Sequence, residues 1–159
     1  MNAKTRTLIL FVSTILVLDQ VTKTLALQAL ALHESVPIID SFFRLTLVYN
    51  TGAAFGLLAH TPAWFRQPFF LLATGVAVCA LLFFLRHTDG DRRSVVMSVS
   101  AIIGGALGNL IDRIRYGHVI DFLDFHWRGY HWPAFNVADA CITLGVIGIL
   151  WSSFRENRA

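Results

Sequence analysis

Two aspartates, Asp121 and Asp139, stand on either side of a short aromatic stretch, in the sequences GHVIDFLDF and FNVADA. Neither has a lysine or arginine within four residues. Two carboxyl groups brought together without an adjacent cation repel, so one pKa rises and the pair holds a single proton near neutral pH. The ionised member can then accept a proton from water while the protonated member donates to a carbonyl oxygen. The pair predicts hydrolysis by general acid and base catalysis, with Asp124 as an alternative first member.

Other catalytic patterns are weaker in this sequence. His118, His126 and His131 lie in one stretch without HExxH or a similar ligand spacing, which favours interfacial or solvent-facing roles over metal binding. No GxSxG motif occurs, and the glycines of GGALG lack the lysine of a phosphate-binding loop. No face combines basic and aromatic residues, so we expect no nucleic acid as a partner.

The composition indicates a membrane protein. The chain has 159 residues, of which 55% are hydrophobic and 14% charged, and its mean hydropathy is +0.60. Four segments approach the roughly 20 residues that cross about 30 Å of hydrocarbon: 7–27, 68–85, 95–114 and 136–154. The first continues past Asp19 and Lys23 without a small-residue cleavage site, so we expect it to remain as a helix. The sequence predicts a single integral-membrane domain.

Lysine and arginine are unevenly distributed between the two sides of these segments. One side carries Lys4, Arg6, Arg86, Arg92, Arg93, Arg155 and Arg158, and the other carries Arg44, Arg66, Arg115 and Arg128 in two longer loops. The positive-inside rule therefore predicts that both termini are cytoplasmic and that the two longer loops face outward.

The outward loop, residues 33–67, is too long to be only a connection. Polar and apolar residues alternate over 44–49, which is typical of a strand that is buried on one side. Gly52 and Gly56 permit a tight turn or the close approach of another backbone. Trp64 and Phe65 suit the membrane interface, and Pro68 suits the first turn of a helix. The predicted fold is an all-α membrane protein with four transmembrane helices, a small outward sheet and a short interfacial helix.

Polar residues occur near the outward ends of three predicted helices. They are Asp19 and Lys23 in the first, Asn109, Asp112 and Arg113 in the third, and Asn136 and Asp139 in the fourth. Such groups are costly when they face lipid, so we expect the three helices to bring them together. Buried ion pairs explain part of the set, with Asp19 bound to Lys23 and Asp112 bound to Arg113 or another cation.

Gly104 and Gly108 form a GxxxG motif that predicts close helix packing.

Five stretches together resemble the lipoprotein signal peptidases, the type II signal peptidases of bacteria. They are DQVTK (19–23), NTGAAFG (50–56), GGALGNLIDR (104–113), GHVIDFLDF (117–125) and FNVADA (135–140). With the four spans, the resemblance covers essentially the whole chain. It implies an enzyme that cuts the signal peptide from prolipoproteins immediately before a cysteine carrying a diacylglyceryl group.

The resemblance also implies roles for individual residues. It assigns the catalytic pair to Asp121 and Asp139, and so selects Asp121 over Asp124. The residues implied to line the site and hold the substrate are Asn50, Asn109, Arg113 and Asn136. The residues implied to support the site are Asp19, Lys23 and Asp112.

The resemblance further implies the setting of the reaction. The partners are diacylglyceryl-modified prolipoproteins and membrane lipids, and neither a metal nor an organic cofactor is required. We expect a monomer in the bacterial inner membrane with its active site near the periplasmic face. The peptide antibiotic globomycin is expected to inhibit it.

Two other classes of function compete on the residues alone. A proton-coupled transporter also clusters carboxylates within a membrane, but it needs access from both sides, and the inner halves of the predicted spans lack acids. A noncatalytic lipid-binding or assembly protein would keep its function after Asp121→Asn.

Overall fold

Long apolar stretches of the sequence form helices in the computed structural model, which describes residues 1–52, 57–90 and 92–156. The elements in chain order are α1 (Ala3–Ala29), β1 (Ser35–Ile39), β2 (Phe43–Asn50), α2 (Ala63–Arg86), α3 (Arg93–Tyr116), β3 (Val119–Trp127), β4 (Tyr130–His131) and α4 (Val137–Glu156). A helix satisfies its backbone polar groups internally, which lipid requires. Within the described ranges, four helices are long and apolar enough to cross a membrane.

The exposed surface of the helical bundle is largely apolar, as expected for a surface that contacts lipid. The most apolar windows of α2 and α4 have mean hydropathies of 2.4 and 1.7, yet only 6% and 11% of their residues are buried. An exposed apolar surface of this extent is unfavourable in water. The chain is therefore a multi-pass membrane protein, and the predicted combination of four spans with a small sheet is confirmed.

Helix α3 is the centre of the bundle and contacts the other three helices. Its glycines allow this because they bring the backbones close together. A methyl group added at Gly104 would lie 3.0 Å from Ile15 of α1, and one added at Gly108 would meet the Asp19 carboxylate. The predicted packing role of the GxxxG motif is confirmed.

A turn at Gly117 joins α3 to the sheet. Gly117 has a φ of 78°, in the left-handed region that favours glycine, and its N–H bonds to the Arg113 carbonyl to end the helix. The described residues form a four-stranded antiparallel sheet in the order β1-β2-β3-β4. The strand predicted over 44–49 is confirmed as part of β2. Asp121 belongs to the segment between the third and fourth predicted spans, which was predicted as an outward loop. It lies instead on β3 opposite Val48, because β2 pairs with the chain that leaves α3.

The short interfacial helix expected before Pro68 is continuous with α2. Within residues 57–90, α2 begins at Ala63, and the Pro62 carbonyl accepts from Phe65 and Arg66 at its first turn. Pro68 therefore lies inside the helix rather than in its first turn. The side chain of Gln67 donates to the Gly117 carbonyl, which ties this end of α2 to the end of α3.

The opposite ends of α1 and α2 meet at Lys4. Its ammonium donates to the carbonyls of Leu85 at 2.7 Å and Thr88 at 2.8 Å, where α2 leaves carbonyls without helical partners. The start of α1 and the end of α2 thus share one side of the bundle, and the sheet and the start of α4 share the other. This arrangement agrees with the charge grouping. Arg158 and the expected turn residue Gly56 lie outside the described residues.

Candidate active site

The fourth helix begins with a reciprocal cap that fixes Asp139. Asn136 immediately precedes α4, and its side-chain oxygen accepts from the Asp139 N–H at 2.9 Å. In return, the Asp139 carboxylate accepts from the Asn136 N–H at 3.3 Å. This is the capping-box arrangement, and it also places a carboxylate at the positive end of a helix. Asn136 was predicted within the fourth span, and it proves to be the residue that starts it.

Asp121 reaches the same place from the sheet. It is 1% exposed, and its two carboxylate oxygens accept from Asn136 Nδ2 at 2.7 Å and Asn50 Nδ2 at 3.0 Å. Asn50 ends β2, and its own side-chain oxygen accepts from the Gly52 N–H at 3.0 Å. The strand pairing of β2 with β3 and the cap of α4 therefore converge on this carboxyl group.

A chain of amides joins the two carboxyl groups. Asn109 on α3 donates to Asp139 at 2.8 Å, and its side-chain oxygen accepts from Asn136 at 3.2 Å. Asn136 also binds Asp121, so each carboxylate is held by neutral donors. Within the described ranges, neither carboxylate forms an ion pair with lysine or arginine. Burial, followed by the charge of Asp139, raises the pKa of Asp121 from 3.8 to about 7.

A buried ion-pair network lies directly behind this site. The Lys23 ammonium is 2.9 Å from Asp19 and 2.7 Å from Asp112, and it donates to the Asn109 side-chain oxygen at 2.9 Å. The predicted pair of Asp19 and Lys23 is present. The cation that binds Asp112 is Lys23 rather than Arg113. One lysine thus binds two buried acids and also contacts the Asn109 amide that binds Asp139, so the network is connected directly to the site.

Gln20 is a member of this network that sequence reasoning missed. Its amide donates to Asp19 at 3.2 Å and to Asp112 at 3.0 Å, so it bridges the two acids from α1 to α3. The available signal was an amide beside Asp19 in an apolar span, where a polar group requires partners.

Arg113 is held apart from the two carboxylates. It donates to the Gly52 carbonyl at 2.6 Å, and its guanidinium lies 3.9 Å from the centre of the Phe70 ring. Its second terminal nitrogen is buried and has no hydrogen-bond partner in the part of the chain that the structure describes. Arg113 thereby connects α3, α2 and the end of β2, at the edge of the site.

A groove of about 1110 Å³ opens over the carboxyl groups. Asp121 and Asp139 both line it, together with Asn50. The rest of its lining comes from the end of β2, the segment after β4 and the membrane-facing side of α4: Val48, Tyr49, Thr51, Ala59, Trp132, Pro133, Ala134, Phe135, Ala140, Ile142, Thr143 and Leu144. It is a largely apolar groove with two carboxyl groups, a composition suited to an extended, apolar ligand.

Asp124, the alternative first acid, lies elsewhere. Three positions along a strand reverse the side-chain direction, so Asp124 and Asp121 point to opposite faces of β3. Asp124 lies 2.9 Å from the His131 ring nitrogen and 3.9 Å from Arg44. The structure therefore brings Asp121 and Asp139, and not Asp124, to one groove.

The fold and this site define a multi-pass membrane protein with paired carboxyl groups at one end of its helical bundle. The family profile described as signal peptidase (SPase) II matches residues 11–155. The chain belongs to the signal peptidase II family, a family of membrane peptidases.

Named relatives agree with this assignment. The lipoprotein signal peptidase of Syntrophotalea carbinolica is 48% identical over 155 residues, which cover 98% of this chain and 95% of that protein. The lipoprotein signal peptidase of Syntrophus aciditrophicus is 47% identical over 154 residues, covering 95% of this chain and 96% of that protein.

Solved structures show the same architecture. A bacterial membrane enzyme determined by the in meso method superposes with a TM-score of 0.86 and 33% identity, over 95% of this chain and 89% of that one. A second such structure gives 0.81 and 34%, over 92% and 91% of the two chains.

Proposed function

We propose that this chain is an intramembrane aspartic endopeptidase. It removes the signal peptide from diacylglyceryl-modified prolipoproteins by cutting before the lipidated cysteine. Family membership supports a peptidase that processes lipoproteins. The observation that carries the aspartic mechanism is that Asp121 and Asp139 line one groove and are joined by neutral amides.

In the proposed reaction the pair begins with one proton between them. The ionised carboxylate takes a proton from water, whose oxygen attacks the scissile carbonyl carbon, while the protonated carboxyl donates to the carbonyl oxygen. The resulting tetrahedral diol collapses when its hydroxyl returns a proton to the pair and the pair protonates the departing amide nitrogen. The C–N bond breaks, and the pair recovers its single proton. We assign that proton to the pair and not to one residue.

The groove supports a substrate that is anchored in lipid. Its α4 wall carries Ile142 and Leu144, and the Leu144 side chain is exposed on the lipid-facing side of the helix. The acyl chains of a diacylglyceryl cysteine would stay in the bilayer while the peptide enters the groove. Anchoring restricts the scissile bond to one depth and so helps orient it toward the carboxyl groups.

The asparagines have defined tasks in this proposal. Asn50, Asn109 and Asn136 orient the carboxyl groups, and Asn50 also lines the groove, where a peptide backbone would pass. Arg113 holds the end of β2, and its buried terminal nitrogen, which has no partner among the described residues, would donate to the substrate backbone. Asp19, Lys23 and Asp112 support the site from behind, and no metal takes part in bond cleavage.

We place the enzyme in the bacterial inner membrane as a monomer. Both termini are cytoplasmic and the groove faces the periplasm, because the grouping of lysine and arginine follows the positive-inside rule.

The decisive test uses purified protein in bilayers and a diacylated prolipoprotein, with release of the signal peptide as the measurement. Asp121→Asn and Asp139→Asn should each abolish release, whereas Asp40→Asn, an exposed acid in the turn between β1 and β2, should not. Globomycin should block the wild-type reaction. Turnover retained in either dyad variant would remove that residue from the mechanism, and its loss in Asp124→Asn alone would transfer the role to Asp124.

A further inference from the structure

A second cluster of reactive side chains lies on the other face of β3, away from the groove. Asp124 and His126 alternate along β3 and so share a face, and His131 on β4 pairs directly with His126. One carboxylate oxygen and one nitrogen from each ring lie within 4.8 Å of one another. The His131 Nδ1 atom is 2.9 Å from Asp124. Strand pairing thus assembles three metal-ligating groups that the sequence leaves scattered.

This cluster is mostly buried, and one of its polar atoms lacks a hydrogen bond among the described residues. Asp124 is 8% exposed and His126 is 9% exposed, while His131 is exposed to solvent. The Nδ1 atom of His126 is buried and has no hydrogen-bond partner within the described residues. An unpartnered buried polar atom costs about 1–3 kcal/mol, so the cluster is poised to gain a ligand.

Arg44 is a cation that already lies beside the cluster, and it is poorly held. Its terminal nitrogen is 3.3 Å from His126 Nε2, while its Nε atom is buried, lies 3.9 Å from Asp124 and lacks a hydrogen bond among the described residues. The Arg44 side chain is 33% exposed, so it can turn toward solvent. The site therefore attracts positive charge but binds this guanidinium weakly.

We propose that Asp124, His126 and His131 bind a divalent transition-metal ion, for which zinc is the best match. Two imidazoles and one carboxylate are one of the donor sets that bind zinc in proteins, and three protein ligands leave a fourth position for water. Ligands about 2 Å from zinc in a tetrahedron lie roughly 3.3 Å apart. Small rotations of the exposed His131 ring and withdrawal of Arg44 bring the donors to that spacing.

The ion would act on the groove through the chain that follows His131. Trp132, Pro133, Ala134 and Phe135 come next in sequence and form one wall of the groove. A metal that ties β4 to β3 fixes the start of that wall. This site is separate from the two carboxyl groups that we propose for peptide cleavage.

Metal titration of detergent-purified protein without a polyhistidine tag, stripped with EDTA and dialysed, tests this site. Zinc chloride is followed by calorimetry, and cobalt(II) by its visible absorption. We expect one ion per chain and the intense bands of tetrahedral cobalt. His131→Gln should weaken zinc binding at least about tenfold through loss of a ligand. His60→Gln, which changes an exposed histidine at the same end of the molecule, should bind like the wild type.

A second variant moves affinity in the opposite direction. Arg44→Gln removes the cation that competes with the metal, so it should bind zinc several-fold more tightly than the wild type. Adventitious binding at surface histidines would not respond to this change. The absence of stoichiometric binding, equal affinity in His131→Gln and His60→Gln, or unchanged affinity in Arg44→Gln would each overturn the proposal. None of these readouts depends on peptidase activity, so the outcome is independent of the proposed function.

Discussion

Asp19 accepts a hydrogen bond at 3.0 Å from the backbone N–H of Ala138, the residue immediately before Asp139. Both residues are fully buried. An acid of α1 thus fixes the first turn of α4, where the backbone N–H groups have no helical partners. A group outside the groove thereby determines where Asp139 is held.

Asp112 performs the corresponding task for the sheet. Its carboxylate accepts at 3.2 Å from the backbone N–H of Ile120, the residue immediately before Asp121. Lys23 binds Asp112 and Asp19 together. One cation therefore stabilises the two acids that position the backbone on either side of the groove.

Replacing Lys23 with methionine should destabilise the protein strongly. The change keeps an unbranched side chain that is one atom shorter, but it leaves two buried carboxylates without their cation, and breaking a buried pair in this way costs about 3–5 kcal/mol. The measurement is thermal unfolding in one detergent, with Arg6→Met, an exposed cation on the same helix, as the control. A melting temperature equal to that of the control would show that the network is not needed for stability.

The pH dependence of activity follows from the raised pKa of Asp121. Burial and the charge of Asp139 raise that pKa from 3.8 to about 7, so the proton of the pair is lost as the pH rises through about 7. Peptide release should therefore decline above that pH.

The folded state also binds this proton more tightly than the unfolded chain, so the associated stability is complete below pH 3.8 and is lost as the pH rises to about 7.

Asp139→Asn separates the two causes of this shift. Removal of the charge should lower the pKa of Asp121 below about 7, while burial should keep it above 3.8. Infrared titration of the Asp121 carboxyl band measures the value, and Asp121→Asn identifies the band by its disappearance. An unchanged pKa in Asp139→Asn would show that the two carboxyl groups do not interact.

Asn50→Ala should move the alkaline limit of activity upward. Asn50 donates to the Asp121 carboxylate at 3.0 Å, which favours the ionised form and lowers the pKa of Asp121. Without this donor, the proton is retained to higher pH, although the rate at the optimum falls because Asp121 is less well oriented. The pH profile of peptide release tests this, with Asn2→Ala, the remote cap of α1, as the control. A downward shift, or a profile identical to that of the control, would contradict the assigned role.

Helical spacing predicts from the sequence only which polar residues share a helix face. Residues three and four apart, such as Asp19 and Lys23, lie on one face of a helix whatever its neighbours are. Pairing between elements could not be predicted in this way. The partner of Asp112 is on another helix, and the strand position of Asp121 depends on β2, which lies about 70 residues earlier in the chain. The meeting of His126 and His131 likewise depends on a strand register that no local pattern encodes.

The glycines of the bundle provide a matched pair of substitutions. A methyl group added at Gly108 would meet the Asp19 carboxylate, whereas one added at Gly75 of α2 has no neighbour within 4 Å. Gly108→Ala should cost about 1–3 kcal/mol through overpacking, and it should also reduce peptide release because Asp19 holds the start of α4. Gly75→Ala should leave the stability within about 1 kcal/mol of the wild type, since alanine is the better helix former. Thermal unfolding and signal-peptide release are measured on both variants. The two mutated helices, α2 and α3, are comparable in length, and Gly75 is more exposed to lipid than Gly108. Equal effects of the two substitutions would therefore show that the contact between α1 and α3 at Gly108 does not control the site.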